Sequence, residues 1–122
     1  MGFLLTDGSV VFQGDKSFDW CKLTPDQSGS YAKGTWSQIA NLPAGYVQAD
    51  FASSVLADGR LAILGGEYIN SNFVLSNLDA IYDPVASAWT MLAAPTGWDY
   101  IGDSPSVVLP DGQFLVGEKS TC

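Results

Sequence analysis

The sequence predicts an all-β protein built from four-stranded antiparallel units, and three observations predict it. Three Asp-Gly pairs, Asp7-Gly8, Asp58-Gly59 and Asp111-Gly112, each lie between two short apolar runs and fall 51 and 53 residues apart. Two tryptophans, Trp36 and Trp89, recur at an interval of 53 residues. No stretch carries the apolar period of an amphipathic helix.

Each Asp-Gly segment has the form of a hairpin. The first runs from Phe3 to Gly14, the second from Ser54 to Gly66 and the third from Val107 to Gly117. Asp tolerates and Gly favours positive φ, as two-residue primed hairpin turns require. Both arms are almost uniformly apolar, which predicts strands buried on both faces. The outer half of the unit repeats as well. Trp36 to Pro43 matches Trp89 to Pro95 with a one-residue gap, and each tryptophan follows a strand that closes in a Pro-containing turn. In the second unit that strand is Leu78 to Asp83, closed at Pro84; in the first it is Phe18 to Thr24, closed at Pro25 by a longer turn through Asp26 to Gly34. Strands are expected near 2–6, 9–13, 18–23, 35–40, 51–57, 60–65, 78–83, 88–93, 104–110 and 113–117. Four strands in roughly fifty residues, repeated, is the pattern of β-propeller blades stacked about an axis.

The wording of the repeat is specific. The apolar run, the Asp-Gly turn, Gly65-Gly66, then Tyr82-Asp83-Pro84 and Trp89 at its spacing resemble a kelch repeat. Gly34-Thr35-Trp36-Ser37-Gln38, Leu42-Pro43-Ala44-Gly45-Tyr46 and Gly65-Gly66-Glu67-Tyr68 resemble a group of bacterial kelch-repeat proteins more closely still. The likeness covers nearly the whole chain, with departures: the first unit has Gly14 alone where the glycine pair belongs, and the third has Gly117 followed by Glu118. It implies kelch-type β-propeller blades in an incomplete ring: blade 1 at about 2–43, blade 2 at about 50–95 and the first half of blade 3 at about 103–118. It gives the motif residues structural roles. Gly65 and Gly66 let blades approach closely, and Trp36 and Trp89 wedge between blades as apolar filler.

Composition excludes several functions. Hydrophobic residues make up 47% of the 122 residues and charged residues 15%, which argues against disorder. Thirteen acidic against five basic residues leave a net charge of −8, unsuited to nucleic acid or an anionic membrane surface and favourable to solubility. The chain has no histidine, so it can build no Ser-His-Asp or Cys-His relay and no histidine-ligated metal site. Cys21 and Cys122 are too few for a disulfide framework, though they can pair with each other. No signal-peptide pattern opens the sequence, and no apolar run approaches membrane-spanning length. No cofactor, metal or catalytic residue is expected.

Antiparallel connections alternate between two faces of a propeller. The loops between second and third strands, and those between blades, share the face on which propellers usually bind ligands. Tyr46 and Asp50 on the first inter-blade loop match Trp98 and Asp103 on the second, where Asp99 and Tyr100 also lie. Glu67 and Tyr68 come from the intervening second-to-third strand loop. Aromatic faces stack on sugar rings, and carboxylates accept from hydroxyls, so these residues suit a neutral carbohydrate or a basic peptide segment. Alternatively, Tyr46 and Trp98 close the top of the core and the aspartates form turns. Asp50, Glu67 and Asp103 are hard oxygen ligands, but no spaced Asp/Asn loop supports calcium. The leading expectation is a non-catalytic binding module, extracellular or cell-surface and bacterial. The alternatives are a piece of a carbohydrate-active enzyme or oxidase whose catalytic residues lie in other blades, and a purely architectural unit. The expected partners are the remaining blades of a longer parent chain, or identical copies joined head to tail.

Overall fold

The computed structural model describes residues 1–14 and 19–117. Among these residues twelve strands follow in chain order. The first six are β1 (Gly2–Leu4), β2 (Val10–Gln13), β3 (Trp20–Thr24), β4 (Thr35–Ile39), β5 (Ala52–Val55) and β6 (Leu61–Leu64). The rest are β7 (Tyr68–Ile69), β8 (Asn72–Phe73), β9 (Asp79–Asp83), β10 (Ala88–Leu92), β11 (Ser106–Val108) and β12 (Phe114–Val116). They form a sheet ordered β1-β2-β3-β4, a second ordered β10-β9-β6-β5, and two hairpins, β7-β8 and β11-β12. Every pairing is antiparallel. The inner strands lie side by side: β5 touches both β1 and β11, and the Ser106 hydroxyl donates to the Ser53 carbonyl at 3.2 Å. The ten expected strands are present, the third beginning at Trp20; Phe18, Glu118 and Cys122 lie outside the described residues.

The Asp-Gly turns differ from expectation in one respect, the same in all three. They are three-residue loops, not two-residue primed turns. In the first, Gly8 N–H donates to Leu5 O at 3.0 Å and Leu5 N–H to Ser9 O at 2.8 Å. Only the glycine is left-handed, with φ of 82° at Gly8, 89° at Gly59 and 87° at Gly112. A tight turn followed by a left-handed glycine is the three-residue hairpin with a bulge. Aspartate fits it because its carboxylate locks the loop from inside. Asp7 Oδ1 accepts the Ser9 N–H at 2.9 Å, Asp58 Oδ1 that of Arg60 at 3.1 Å and Asp111 Oδ1 that of Gln113 at 3.0 Å.

β7-β8 is an addition to the expected elements. Its tip, Asn70-Ser71, holds two consecutive residues at positive φ, 50° and 66°, the demand of a primed hairpin turn. Asparagine tolerates that region, and its presence there was the available signal.

Two seams hold the core. Leu5, Val11, Trp20, Ile39, Leu42, Tyr46 and Phe51 meet Leu61, Ile63, Ala80 and Tyr82 between the two sheets. A smaller seam joins Ala52, Ala62, Leu64 and Ile101, with Phe114 and Val116 of β12 packed against it. Burial on both faces holds for β6, buried at all four positions, because it has a neighbour on each side. The outer flanks of the first sheet and of β11-β12 face no neighbour among the described residues, and Leu4, Val107 and Leu115 are exposed there.

That asymmetry separates the two tryptophans. Trp89 does wedge between sheets: its ring meets Trp20 edge-on at 4.9 Å, and its indole N–H donates to Ala40 O at 2.8 Å. Trp36 takes the same place in its own sheet, paired with Leu23 as Trp89 is with Tyr82. Yet it is 59% exposed, with Phe12 at 5.4 Å as its ring neighbour. It fills no seam here, because it points from the flank that has no sheet beside it.

Candidate functional site

Three loops meet above the seams: residues 42–50 after β4, residues 65–78 around β7-β8, and residues 93–105 after β10. Two of them start on the same turn. Tyr46 N–H donates to Pro43 O at 3.1 Å and Trp98 N–H to Pro95 O at 3.2 Å. Each turn has a left-handed glycine in third place, Gly45 at 95° and Gly97 at 84°, as a four-residue turn of this kind requires.

The loops are laced together through backbone groups. Ala49 N–H donates to Tyr68 O at 2.8 Å, and Glu67 N–H returns to Ala49 O at 3.0 Å. On the other side Gly66 N–H reaches Gly102 O at 2.9 Å and Ile101 N–H reaches Ser76 O at 2.8 Å. The Asn77 side-chain amide donates to Trp98 O at 3.1 Å. Such cross-bonding satisfies backbone groups that loop segments otherwise leave to water.

The residues singled out by sequence fall into three groups: exposed, half-buried and buried. Asp50, Asp99 and Asp103 are exposed, and so is Tyr100, at 37%. Tyr68 is half-buried, with Phe73 edge-on at 5.6 Å. Trp98 is half-buried against the smaller seam. Glu67 is buried at 8% exposure. Tyr46 is fully buried, so its ring face is turned into the core and not toward a ligand. The matched positions diverge because Tyr46 sits between two four-stranded sheets, while Trp98 has only a two-stranded unit beside it. Among the described residues, no group of three Cys, Asp or Glu is placed to hold a metal ion.

Sequence reading passed over Asp79, although a carboxylate inside the apolar run Leu78 to Tyr82 was the available signal. It opens β9 at 2% exposure. Burial pushes its pKa up to about 6, against an opposing hydrogen bond from the Gly65 N–H. The Tyr46 phenol is also pushed well up, by burial first and then by the Asp79 charge.

No protein-family model matches the chain. It is 33% identical over 86 residues to the Kelch-like protein terF of Aspergillus terreus, a stretch covering 69% of this chain and 18% of that protein. It superposes on the structure of YjhT with a TM-score of 0.70 at 23% identity, over 94% of this chain and 32% of that one. These are kelch-type β-propeller blades. A fungal alcohol oxidase of the AA5 family, solved in complex with copper, shares the fold at a TM-score of 0.54 and 20% identity, over 73% of this chain and 17% of its own. The chain therefore spans well under half of each of these relatives.

The kelch glycines act where the loops cross the blades. A Cβ on Gly65 would lie 2.6 Å from Gly102 O and 2.7 Å from the Ile101 Cβ. One on Gly66, at φ 119°, would run into the Gln48 side chain. The pair is thus the point where the second blade admits both inter-blade loops. In the same blade, Asp83 Oδ1 accepts the Val85 N–H at 2.8 Å and the Ala86 N–H at 3.1 Å. That fixes the turn at Pro84 from which Trp89 enters the seam.

Proposed function

We propose that this chain contributes a non-catalytic binding surface to an extracellular or cell-surface kelch propeller, and that the surface takes a neutral carbohydrate through its inter-blade loops. The observation that carries the reading is the lacing of three loops into one surface. That surface displays Asp50, Asp99 and Asp103 with the aromatic rings of Tyr68, Trp98 and Tyr100 at its rim. Aromatic rings stack on the C–H faces of sugars, and carboxylates accept from their hydroxyls. A hydrogen-bonded loop framework keeps such groups in place before the ligand arrives, which lowers the ordering penalty of binding. The test is a glycan array probed with the folded chain and with Trp98→Ala and Tyr100→Ala. Each variant should lose binding while keeping its far-ultraviolet spectrum. A folded chain that retains no glycan, or variants that bind as the parent does, would remove the carbohydrate reading.

The same proposal assigns partners to the two flanks. Leu4, Phe12 and Trp36 on one side, and Val107 and Leu115 on the other, are covered by further blades of a longer parent chain. The contact made by Trp89 inside this chain is the template for the one Trp36 makes. Identical copies joined head to tail are the alternative, because the flanks differ and their contact is heterologous.

A further inference from the structure

Leu4, Trp36, Val107 and Leu115 are exposed on the two flanks, where no sheet stands beside them among the described residues. Phe73 is a different case. It is 60% exposed, yet its loop, residues 65–78, has both neighbouring inter-blade loops in place. Residues 42–50 bond to it through Ala49, and residues 93–105 through Ile101 and Gly102. An absent neighbour therefore does not account for the exposure of Phe73. The backbone sets where the ring stands. Ala49 bridges Tyr68, and Tyr68 lies opposite Phe73 in the β7-β8 register, so the three share one face of a small antiparallel patch. Tyr68 is half-buried and meets Phe73 edge-on, at 5.6 Å and 70°, an arrangement that aromatic pairs favour. Three backbone bonds brace the hairpin: Val74 N–H to Glu67 O at 2.6 Å, Ala49 N–H to Tyr68 O at 2.8 Å and Ser76 N–H to Gly66 O at 3.0 Å.

The surroundings of the ring are polar. Asn70, Ser71 and Asn72 are exposed at the hairpin, and so is Asp50, which follows Ala49 at a φ of 52°. One exposed ring against a half-buried one falls far short of the ~800 Å² that each partner buries in a protein interface. It matches the C–H face of a single sugar ring instead, and the amides and carboxylate around it suit that ring's hydroxyls. We propose that Phe73, steadied by Tyr68, is a ring on which the sugar stacks, and that it selects pyranoses presenting a C–H face. The assignment rests on the carbohydrate reading above and adds to it a residue on a different loop from Trp98 and Tyr100.

The test compares the parent chain with Phe73→Ala, Phe73→Leu and Phe73→Trp on immobilised glycans ending in glucose, galactose or N-acetylglucosamine. Because Phe73 is exposed, all four proteins should share one far-ultraviolet spectrum and one denaturant midpoint. Phe73→Ala and Phe73→Leu should weaken binding by at least about tenfold, while Phe73→Trp, which keeps an aromatic face, binds as the parent does. Phe73→Leu and Phe73→Trp carry the comparison if Phe73→Ala loses its fold, since both keep an apolar side chain on the hairpin. A parent that binds while Phe73→Ala and Phe73→Leu bind equally well overturns the role of Phe73 and leaves the carbohydrate reading standing. Binding lost in Phe73→Ala and kept in Phe73→Leu marks a plain apolar contact and overturns the stacking assignment. A parent that binds none of these glycans removes the carbohydrate reading and this assignment with it.

Discussion

Asp79→Asn should make the fold insensitive to pH across the window where the parent chain loses stability. Asp79 has its pKa raised from 3.8 to about 6, because burial disfavours the charged form. The folded state therefore holds this proton more tightly than the unfolded chain does. The sign follows from linkage: wherever the folded state binds more protons, stability falls as pH rises. The loss begins near pH 4, where the unfolded carboxyl ionises, and is complete above about pH 6, where the folded one does. A shift of about two units at 1.36 kcal/mol each gives about 3 kcal/mol, a large part of the 5–15 kcal/mol typical of a domain. Asp7 and Asp58 do not interfere. Their pKa values are lowered by hydrogen bonds within the turns, so their contributions are lost only below the ordinary carboxylate range. Urea titrations at pH 4, 5, 6, 7 and 8 measure the effect. The parent midpoint should fall between pH 4 and 7 while that of Asp79→Asn stays level over the same range and exceeds the parent's at pH 7. Equal slopes for the two proteins would refute the assignment.

Two further substitutions separate the seams from the flanks. Trp89→Ala removes the edge contact with Trp20 and the bond to Ala40, and should lower stability by about 3–5 kcal/mol. Trp36→Ala should cost about 1 kcal/mol or less in a monomeric chain, and should shift sedimentation toward monomer wherever the chain self-associates; an equal loss from both in a monomer would contradict the placement of Trp36. Gly66→Ala places a Cβ against the Gln48 side chain at a φ that L-residues rarely adopt and should destabilise by more than about 1 kcal/mol. A denaturant midpoint unchanged by Gly66→Ala would show that the loop crossing has room to spare.

The fold was legible because it is written locally and three times. Asp-Gly pairs, Gly65-Gly66 and the Tyr82 to Trp89 spacing each fix a turn or a crossing that neighbouring residues suffice to specify. What sequence missed depends on surroundings. Trp36 and Trp89 share a motif, and only the presence of a sheet beside one of them distinguishes filler from exposed flank. Tyr46 and Trp98 share a turn and differ in burial for the same reason. The three-residue form of the Asp-Gly loops turned on whether one or two residues take positive φ, which the dipeptide alone leaves open. Asp79 was visible as a charge in an apolar run. Its consequence required knowing that Gly65 N–H is the hydrogen bond opposing its burial and that Tyr46 stands within reach.

The carboxylate-locked Asp-Gly loops also bear on how the chain acquires its structure. Each closes a hairpin over a handful of residues, and closing so short a loop demands little chain entropy. Asp7, Asp58 and Asp111 bind the backbone two residues ahead, so every lock forms from contacts within its own hairpin. β1-β2, β5-β6 and β11-β12 are then three equivalent nuclei, none obliged to wait for another. Docking β9 onto β6 across the 65–78 segment, and one blade onto the next, closes longer loops and costs more chain entropy. A repeat chain of this design grows from several starting points and pairs neighbour to neighbour, as expected of a quasi-one-dimensional array.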